Sequence, residues 1–282
     1  MALSKLFNKS FLTRTLSGIV LIAVLLVTFI LGNYVIFGLT ALLSLIGLSE
    51  VYKTVGIEKN CLGIIGYISV IVYYGLLLWK GTEYMSIFII SLLLVVMIAF
   101  VFSFPKYKVE QVMMSFFGVI YVAVLMSFLY LIRETTNDGM ITIWLVIISS
   151  WGCDTCAYLA GVTMGKHKMT PLLSPKKTIE GAIGGILGAA GIGAIYGAVV
   201  GGNMEQIENA PIYFAIICAC AGLVSMVGDL AASAIKRCYD IKDYGKLIPG
   251  HGGVLDRFDS VIFTAPVIYY LIYFIYKQEW ER

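Results

Sequence analysis

Near the end of this 282-residue chain, a polar stretch reads SAIKRCYDIKDYGKLIPGHGGVLDRFD from Ser233 to Asp259. Its residue types are those that handle phosphate. Pro249-Gly250-His251-Gly252-Gly253 excludes a regular helix and exposes backbone N–H groups, the donors that cradle phosphate oxygens in anion-binding nests. Lys242 and Lys246 add point charges, and Arg257 adds a planar fork able to grip a phosphate. Just upstream, Asp229, Ser233 and Lys236 are spaced i, i+4, i+7, so a continuing helix places all three on one face beside Arg237. Asp229 and Asp256 are the pair assigned to metal. Hard cations such as Mg²⁺ take oxygen ligands, often one or two carboxylates completed by substrate phosphates. Spacing alone does not bring the two carboxylates together, and a plain ion pair of Asp229 with Lys236 or Arg237 is the competing reading.

A second polar stretch contains Gly165-Lys166-His167-Lys168 and Ser174-Pro175-Lys176-Lys177-Thr178-Ile179-Glu180-Gly181. Ser before Pro predicts a helix opening with Pro at its first position. Free N–H groups there, with Lys176 and Lys177, would form a second anion site. The alternative is that these lysines only orient the loop. Asp154, with Thr155 and Tyr158, falls inside an apolar run, where an ionisable group is costly and therefore a functional candidate.

The elements that must position these residues are apolar. Hydrophobic residues make up 60% of the chain and charged ones 13%, about half the charge of an ordinary soluble domain. Nine runs are candidates to cross a bilayer as helices: Leu12–Leu31, Tyr34–Leu48, Cys61–Trp79, Met85–Phe104, Val112–Ile132, Met140–Val162, Ile179–Val200, Pro211–Val227 and Val261–Tyr276. The fold class is therefore all-α, a polytopic helical membrane protein. The runs are continuous rather than alternating, which argues against a barrel. Lys5, Lys9 and Arg14 precede a first run too long for a signal-peptide core, so that span is expected to be retained. With the N-terminus inside, every Lys and Arg except Lys80, Arg133, Lys277 and Arg282 falls on the inner side, as the positive-inside rule asks. Both polar stretches then face inward.

Character changes near Met140. Residues 1–139 read as a five-span scaffold with short connections. Residues 140–282 read as a catalytic region of four spans, with polar loops at 163–178 and 228–260. The seventh run holds Gly181, Gly184, Gly185, Gly188, Gly191, Gly193 and Gly197, a small-residue spacing that lets helices approach closely or makes room for an acyl chain.

Several other readings fail. The net charge of +3 does not suggest nucleic acid. Gly161 to His167 is one residue short of a P-loop and lacks its hydroxyl. Cys153-x-x-Cys156 and Cys218-x-Cys220 lie in or beside apolar runs without accompanying histidines, and read as small hydrophobes. Two histidines in lysine-rich loops are a weak basis for a Ser/His/Asp triad.

The polar stretch resembles the C-terminal signature of the phosphatidate cytidylyltransferases, also called CDP-diacylglycerol synthases. Ser233, Lys236, Arg237, Lys242, Asp243, Gly245, Pro249, His251, Gly252, Gly253, Asp256, Arg257 and Asp259 occupy its fixed positions. Trp151–Tyr158 (WGCDTCAY) and the SPKKTIEG run look like the same family, and the resemblance spans about Met140–Ser260. It implies CTP and phosphatidic acid as substrates, CDP-diacylglycerol and pyrophosphate as products, and Mg²⁺ as cofactor. It also implies a metal-binding pair at Asp229 and Asp256 and an essential Lys236. A lipid phosphate oxygen attacking the α-phosphorus of CTP needs positioning and charge stabilisation, not a side-chain nucleophile. On this reading Lys236 and Arg237 neutralise developing charge. Lys242, Arg257 and the His251–Gly253 backbone take the triphosphate. Lys176 and Lys177 meet either the lipid phosphate or the nucleotide, with Ser233, Asp154 and Asp259 lining the site. A CTP enzyme of this kind works among membrane lipids, in a bacterial-type inner membrane, with its site toward the cytoplasm.

The contrasting reading is an ion-coupled transporter or flippase of an anionic lipid that uses the same carboxylates for coupling. Transporters of that kind often show two related halves, whereas here the polar residues crowd one half. A second cation, a homo-oligomer and transfer to a dolichol-type lipid are left open.

Overall fold

A computed structural model describes residues 9–135, 138–204, 207 and 209–280. Lys5 and Arg282, counted in the charge asymmetry, lie outside the described residues, as do the side chains of Lys9 and Lys277. The helices are α1 (Lys9–Leu31), α2 (Asn33–Val55), α3 (Cys61–Lys80), α4 (Met85–Ser103), α5 (Val109–Gly118), α6 (Leu125–Thr135), α7 (Gly139–Thr142), α8 (Trp144–Ile147), α9 (Cys153–Met164), α10 (Ile179–Val200), α11 (Ala210–Cys238) and α12 (Leu255–Trp280). Wider π-type turns at Val119–Val124 and Ile148–Gly152 join α5 to α6 and α8 to α9 without ending the helical path. Among the described residues, nine helical segments are long and apolar enough to cross a membrane. The all-α class and the number of spans are those the apolar runs predict.

Three boundaries differ from expectation by six residues or more, for one reason: the helices do not stop where the hydrocarbon stops. The second span extends past Leu48 to Val55, the eighth past Val227 to Cys238, and the ninth begins at Leu255 instead of Val261. In each case the added turns are the polar ones. A helix keeps its own backbone bonds satisfied as it leaves the apolar layer, so side-chain polarity is a poor guide to its end.

The SPKK run corrects a sequence expectation. Ser174–Thr178 is not a helix opening but strand β2, antiparallel to β1 (Lys168–Thr170), with Lys168 opposite Thr178 and Thr170 opposite Ser174. The helix starts later, at Ile179, because Thr178 is the better cap: its hydroxyl oxygen accepts the Gly181 N–H at 3.1 Å. Lys176 and Lys177 therefore extend from a hairpin.

By contacts the chain forms two compact units, each made of three segments. Unit 1 comprises Met1–Val24, Phe37–Ser127 and Asp243–Asp256; unit 2 comprises Leu25–Ile36, Phe128–Lys242 and Arg257–Arg282. The expected division at residue 140 follows sequence order, whereas these units interleave.

Unit 1 is built around tyrosines that carry both apolar area and a satisfied polar tip. Tyr52 is fully buried and donates to the Ser115 carbonyl at 2.6 Å, its ring lying against Gly66 of α3 and Gly118 of α5. The Ser115 hydroxyl in turn donates to the Leu62 carbonyl at 3.0 Å. Ser44–Tyr74 (2.9 Å) and Tyr73–Ser127 (2.8 Å) repeat the pattern between helices. Where no water reaches, such bonds replace the ones water would make.

Unit 2 packs on glycine. In α10, Gly184 faces Ala160, Gly185 faces Ala157 and Cys153, and Gly188 faces Cys156, all on α9. Farther along, Gly193 faces Cys218 and Gly197 faces Ala210, both on α11. A Cβ at any of these five glycines would overlap its neighbour. At these five positions the stripe serves tight helix packing, the first of its two sequence readings, whereas Gly191 meets nothing within 4 Å and Gly181 lines a cavity.

Candidate functional site

The eighth span continues unbroken through Cys238, so Asp229, Ser233 and Lys236 share one helical face as their spacing predicts. Asp229 is held by Lys177 of β2, in a direct ion pair. Arg237 is exposed and donates to the Ile241 carbonyl at 3.3 Å, turning the chain out of α11. Gly228 explains how α12 comes alongside Asp229. A Cβ at position 228 would stand 2.9 Å from the Asp259 carbonyl oxygen and 2.8 Å from the Phe263 ring.

This close approach gathers charge. Asp154 lies within electrostatic reach of Asp229, Lys177 and Arg257. Asp259 lies within reach of Asp229, Lys236 and Asp154. Unit 2 therefore brings together three carboxylates and three cations that sequence analysis had selected from separate stretches. Ser233 and Lys236 are half-buried on the same face, and Lys242, the last residue of its segment in this unit, is exposed.

A cavity of about 500 Å³ opens beside this cluster. Asp154, Asp229, Lys168, Lys176 and Lys177 supply its charged lining; Ala157, Val162, Gly181, Ala182 and Met226 supply an apolar wall. The hairpin that carries its lysines is anchored at its base. The Glu180 carboxylate accepts the Lys166 and His167 N–H groups at 3.0 and 3.2 Å and lies 2.6 Å from His167 Nδ1. An anionic head attached to an apolar tail matches both parts of this lining.

The glycine-rich stretch belongs to unit 1. It is non-helical as its composition requires, closed by an Ile248–Gly252 bridge, with Gly250 at φ 78° and Gly252 at φ 90°. Asp256 organises it: one carboxylate oxygen accepts the Tyr244 N–H at 2.8 Å and the Gly253 N–H at 2.9 Å. His251 meets α1, where the Ser17 hydroxyl stands 2.8 Å from His251 Nδ1 and donates to the Pro249 carbonyl at 3.0 Å.

Sequence reasoning passed over Glu50. Ending the second span at Leu48 left this residue in a connection. The structure puts it inside α2, buried, with Oε1 accepting the Val254 N–H and Oε2 accepting the Leu255 N–H, both at 2.9 Å. The usable signal was a carboxylate beside a long apolar run, which is costly unless it has a task.

The donor set suits a hard cation in its chemistry. Asp154, Asp229 and Asp259 repel one another, and a divalent ion near them relieves that repulsion. Among the described residues, no three His, Cys, Asp or Glu side chains form a ready-made metal cluster. Mg²⁺ commonly takes few protein carboxylates and leaves positions for water and substrate phosphate. Asp256 lies in the first turn of α12, and one of its oxygens serves the loop.

The chain is similar to proteins of known family. A phosphatidate cytidylyltransferase of Staphylococcus saprophyticus is 30% identical over 267 residues, covering 92% of this chain and 98% of that one. Proteins of the same name from Bacillus subtilis and Rickettsia felis are each 38% identical over shorter stretches. These cover 54% of this chain and 55% of the Bacillus protein, and 55% and 68% for the Rickettsia protein. The cytidylyltransferase family model matches residues 12–275. With a match of that extent, running over the carboxylate–lysine cluster of α11 and the glycine-rich stretch alike, the chain belongs to the cytidylyltransferase family.

Proposed function

We propose that this chain transfers the cytidylyl group of CTP to phosphatidic acid, giving CDP-diacylglycerol and pyrophosphate. The observation that carries the reading is the unit 2 cavity, where an ionic end and an apolar wall meet at membrane-spanning helices. Its ionic end suits the phosphate of a lipid and its wall the first carbons of the tails, so the lipid reacts without leaving the bilayer. Lys176 and Lys177 take the lipid phosphate. One of its oxygens forms a bond to the α-phosphorus of CTP, the α–β bridging bond breaks, and pyrophosphate leaves with that electron pair.

Lys236 and Arg237 neutralise charge as it moves onto the leaving group. Lys242, Arg257 and the His251–Gly253 backbone hold the triphosphate. Asp154 and Asp259 keep Lys177, Lys236 and Arg257 aimed, and Ser233 lines the same face. Asp229 and Asp256 hold Mg²⁺, which when bound supplies further neutralisation of the phosphates. The N-terminus and both polar stretches face the cytoplasm, where CTP is found, and the protein resides in a bacterial inner membrane. Support comes from the distribution of Lys and Arg.

The test is purified protein in detergent with phosphatidate, Mg²⁺ and each of the four nucleoside triphosphates in turn. Expected is pyrophosphate release with CTP that requires the lipid. Lipid movement across vesicles without pyrophosphate release would replace this reading with the transporter.

A further inference from the structure

We propose that Glu50 is a positioning residue of the transfer site, resting on the function proposed above. It fixes the glycine-rich stretch by holding the backbone where that stretch enters α12. The first N–H groups of a helix have no partner within it. A local Ser, Thr, Asp or Asn normally supplies one. Here the residue before α12 is Val254, which has no acceptor, and the partner comes from α2, 204 and 205 residues away. Glu50 is 7% exposed and uses both carboxylate oxygens on these two N–H groups. Its charge lies against the positive end of the helix, which favours an anion over a neutral amide.

The stretch is shaped to receive this carboxylate. A Cβ at Gly245 or at Gly253 would overlap Glu50 Oε1. Neither glycine has a positive φ, unlike Gly250 and Gly252. Space for Glu50 is therefore the reason these two signature positions are glycine. Asp256 ties the stretch to itself through Tyr244 and Gly253, and Glu50 ties it to a helix of the N-terminal half. The His251–Gly253 backbone, assigned to the triphosphate, lies between these two anchors.

The experiment uses the full chain in detergent. Glu50→Gln keeps the shape but opposes one backbone N–H with an amide donor. Expected is a rise of about tenfold in KM for CTP, the loss of one charge-assisted bond, with KM for phosphatidate unchanged. A role in folding alone would lower apparent kcat with the active fraction and leave both KM values unchanged, which overturns the proposal.

A second arm does not depend on activity. The loss of thermal stability caused by Gly253→Ala is measured with Glu50 present and in Glu50→Ala, or in Glu50→Gln against Glu50→Asp if the alanine variant does not insert. The penalty is expected to shrink when the side chain is shortened, whereas that of Gly252→Ala, set by its φ, stays the same. Equal Gly253→Ala penalties in both backgrounds would overturn the proposal. Wild-type protein without CTP-dependent pyrophosphate release would overturn the function instead, and the stability arm would still read the role of Glu50.

Discussion

Asp229 and Asp154 beside the unit 2 cavity, and Glu50 and Asp256 in unit 1, are chemically alike and used in opposite ways. Asp229 is partly exposed, beside a cavity, and its partner is the ammonium of Lys177, a flexible side chain. Asp154 shares the same neighbourhood of side-chain charges, and Asp259 stands between the two kinds: buried, with one oxygen accepting the Ser260 N–H at 2.9 Å, yet within reach of the same charges. Glu50 and Asp256 are buried, and their partners are backbone N–H groups that fix the path of the chain. A lysine partner can be exchanged for a phosphate or a metal at little structural cost. A backbone partner cannot be given up without moving the loop. Acidic residues held by side chains are therefore the candidates for chemistry, and those held by the backbone are first of all architecture. Asp256 is the informative case, because it is held by the backbone and is also proposed to bind metal.

Substitutions can break or sharpen this contrast. The largest effect is expected from Lys236→Ala and Asp229→Asn, with loss on the order of 10²–10³-fold in kcat, comparable to removing one electrostatic donor from a transition state. Steady-state pyrophosphate release checks it, and a change confined to KM would move these residues from chemistry to binding. Asp256→Asn comes next. Asparagine keeps an oxygen for the Tyr244 and Gly253 N–H groups but removes the charge. Turnover is expected to be lost with thermal unfolding close to wild type; unfolding instead would make Asp256 architectural only.

Lys177→Met is expected to raise KM for phosphatidate about tenfold, the value of one charge-assisted hydrogen bond, with the effect on CTP smaller. Gly228→Ala forces α11 and α12 apart beside Asp229 and is expected to cost ~1–3 kcal/mol by overpacking, read as a lower melting temperature with reduced turnover. The smallest effect belongs to Thr178→Ala, which removes the cap of α10 for ~1 kcal/mol and leaves the hairpin lysines in place.

Much of this was legible in the residues. Nine apolar runs gave nine spans because hydrocarbon length is a one-dimensional property. Asp229, Ser233 and Lys236 came out on one face because helical spacing is local. The glycine-rich stretch was read as non-helical for the same kind of reason. The hairpin was misread because Ser-Pro suits an extended strand as well as a helix start, and pairing with residues 168–170 decided between them. An ion-pair partner of Asp229 that spacing did not suggest lies on another element, 52 residues earlier. Glu50 was missed because its task is set by Val254 and Leu255, far along the chain, and no spacing rule links them.

The ties of Glu50 also bear on how the protein is made. Unit 1 draws its last segment, Asp243–Asp256, from beyond most of unit 2. During synthesis, α2 emerges long before the backbone groups that satisfy its carboxylate. The nascent N-terminal spans thus carry an acidic side chain awaiting partners that are translated some two hundred residues later. A chain released before Val254 would keep that carboxylate without either of the two N–H groups. The same bond that positions the loop is thus available only to chains that extend to Leu255.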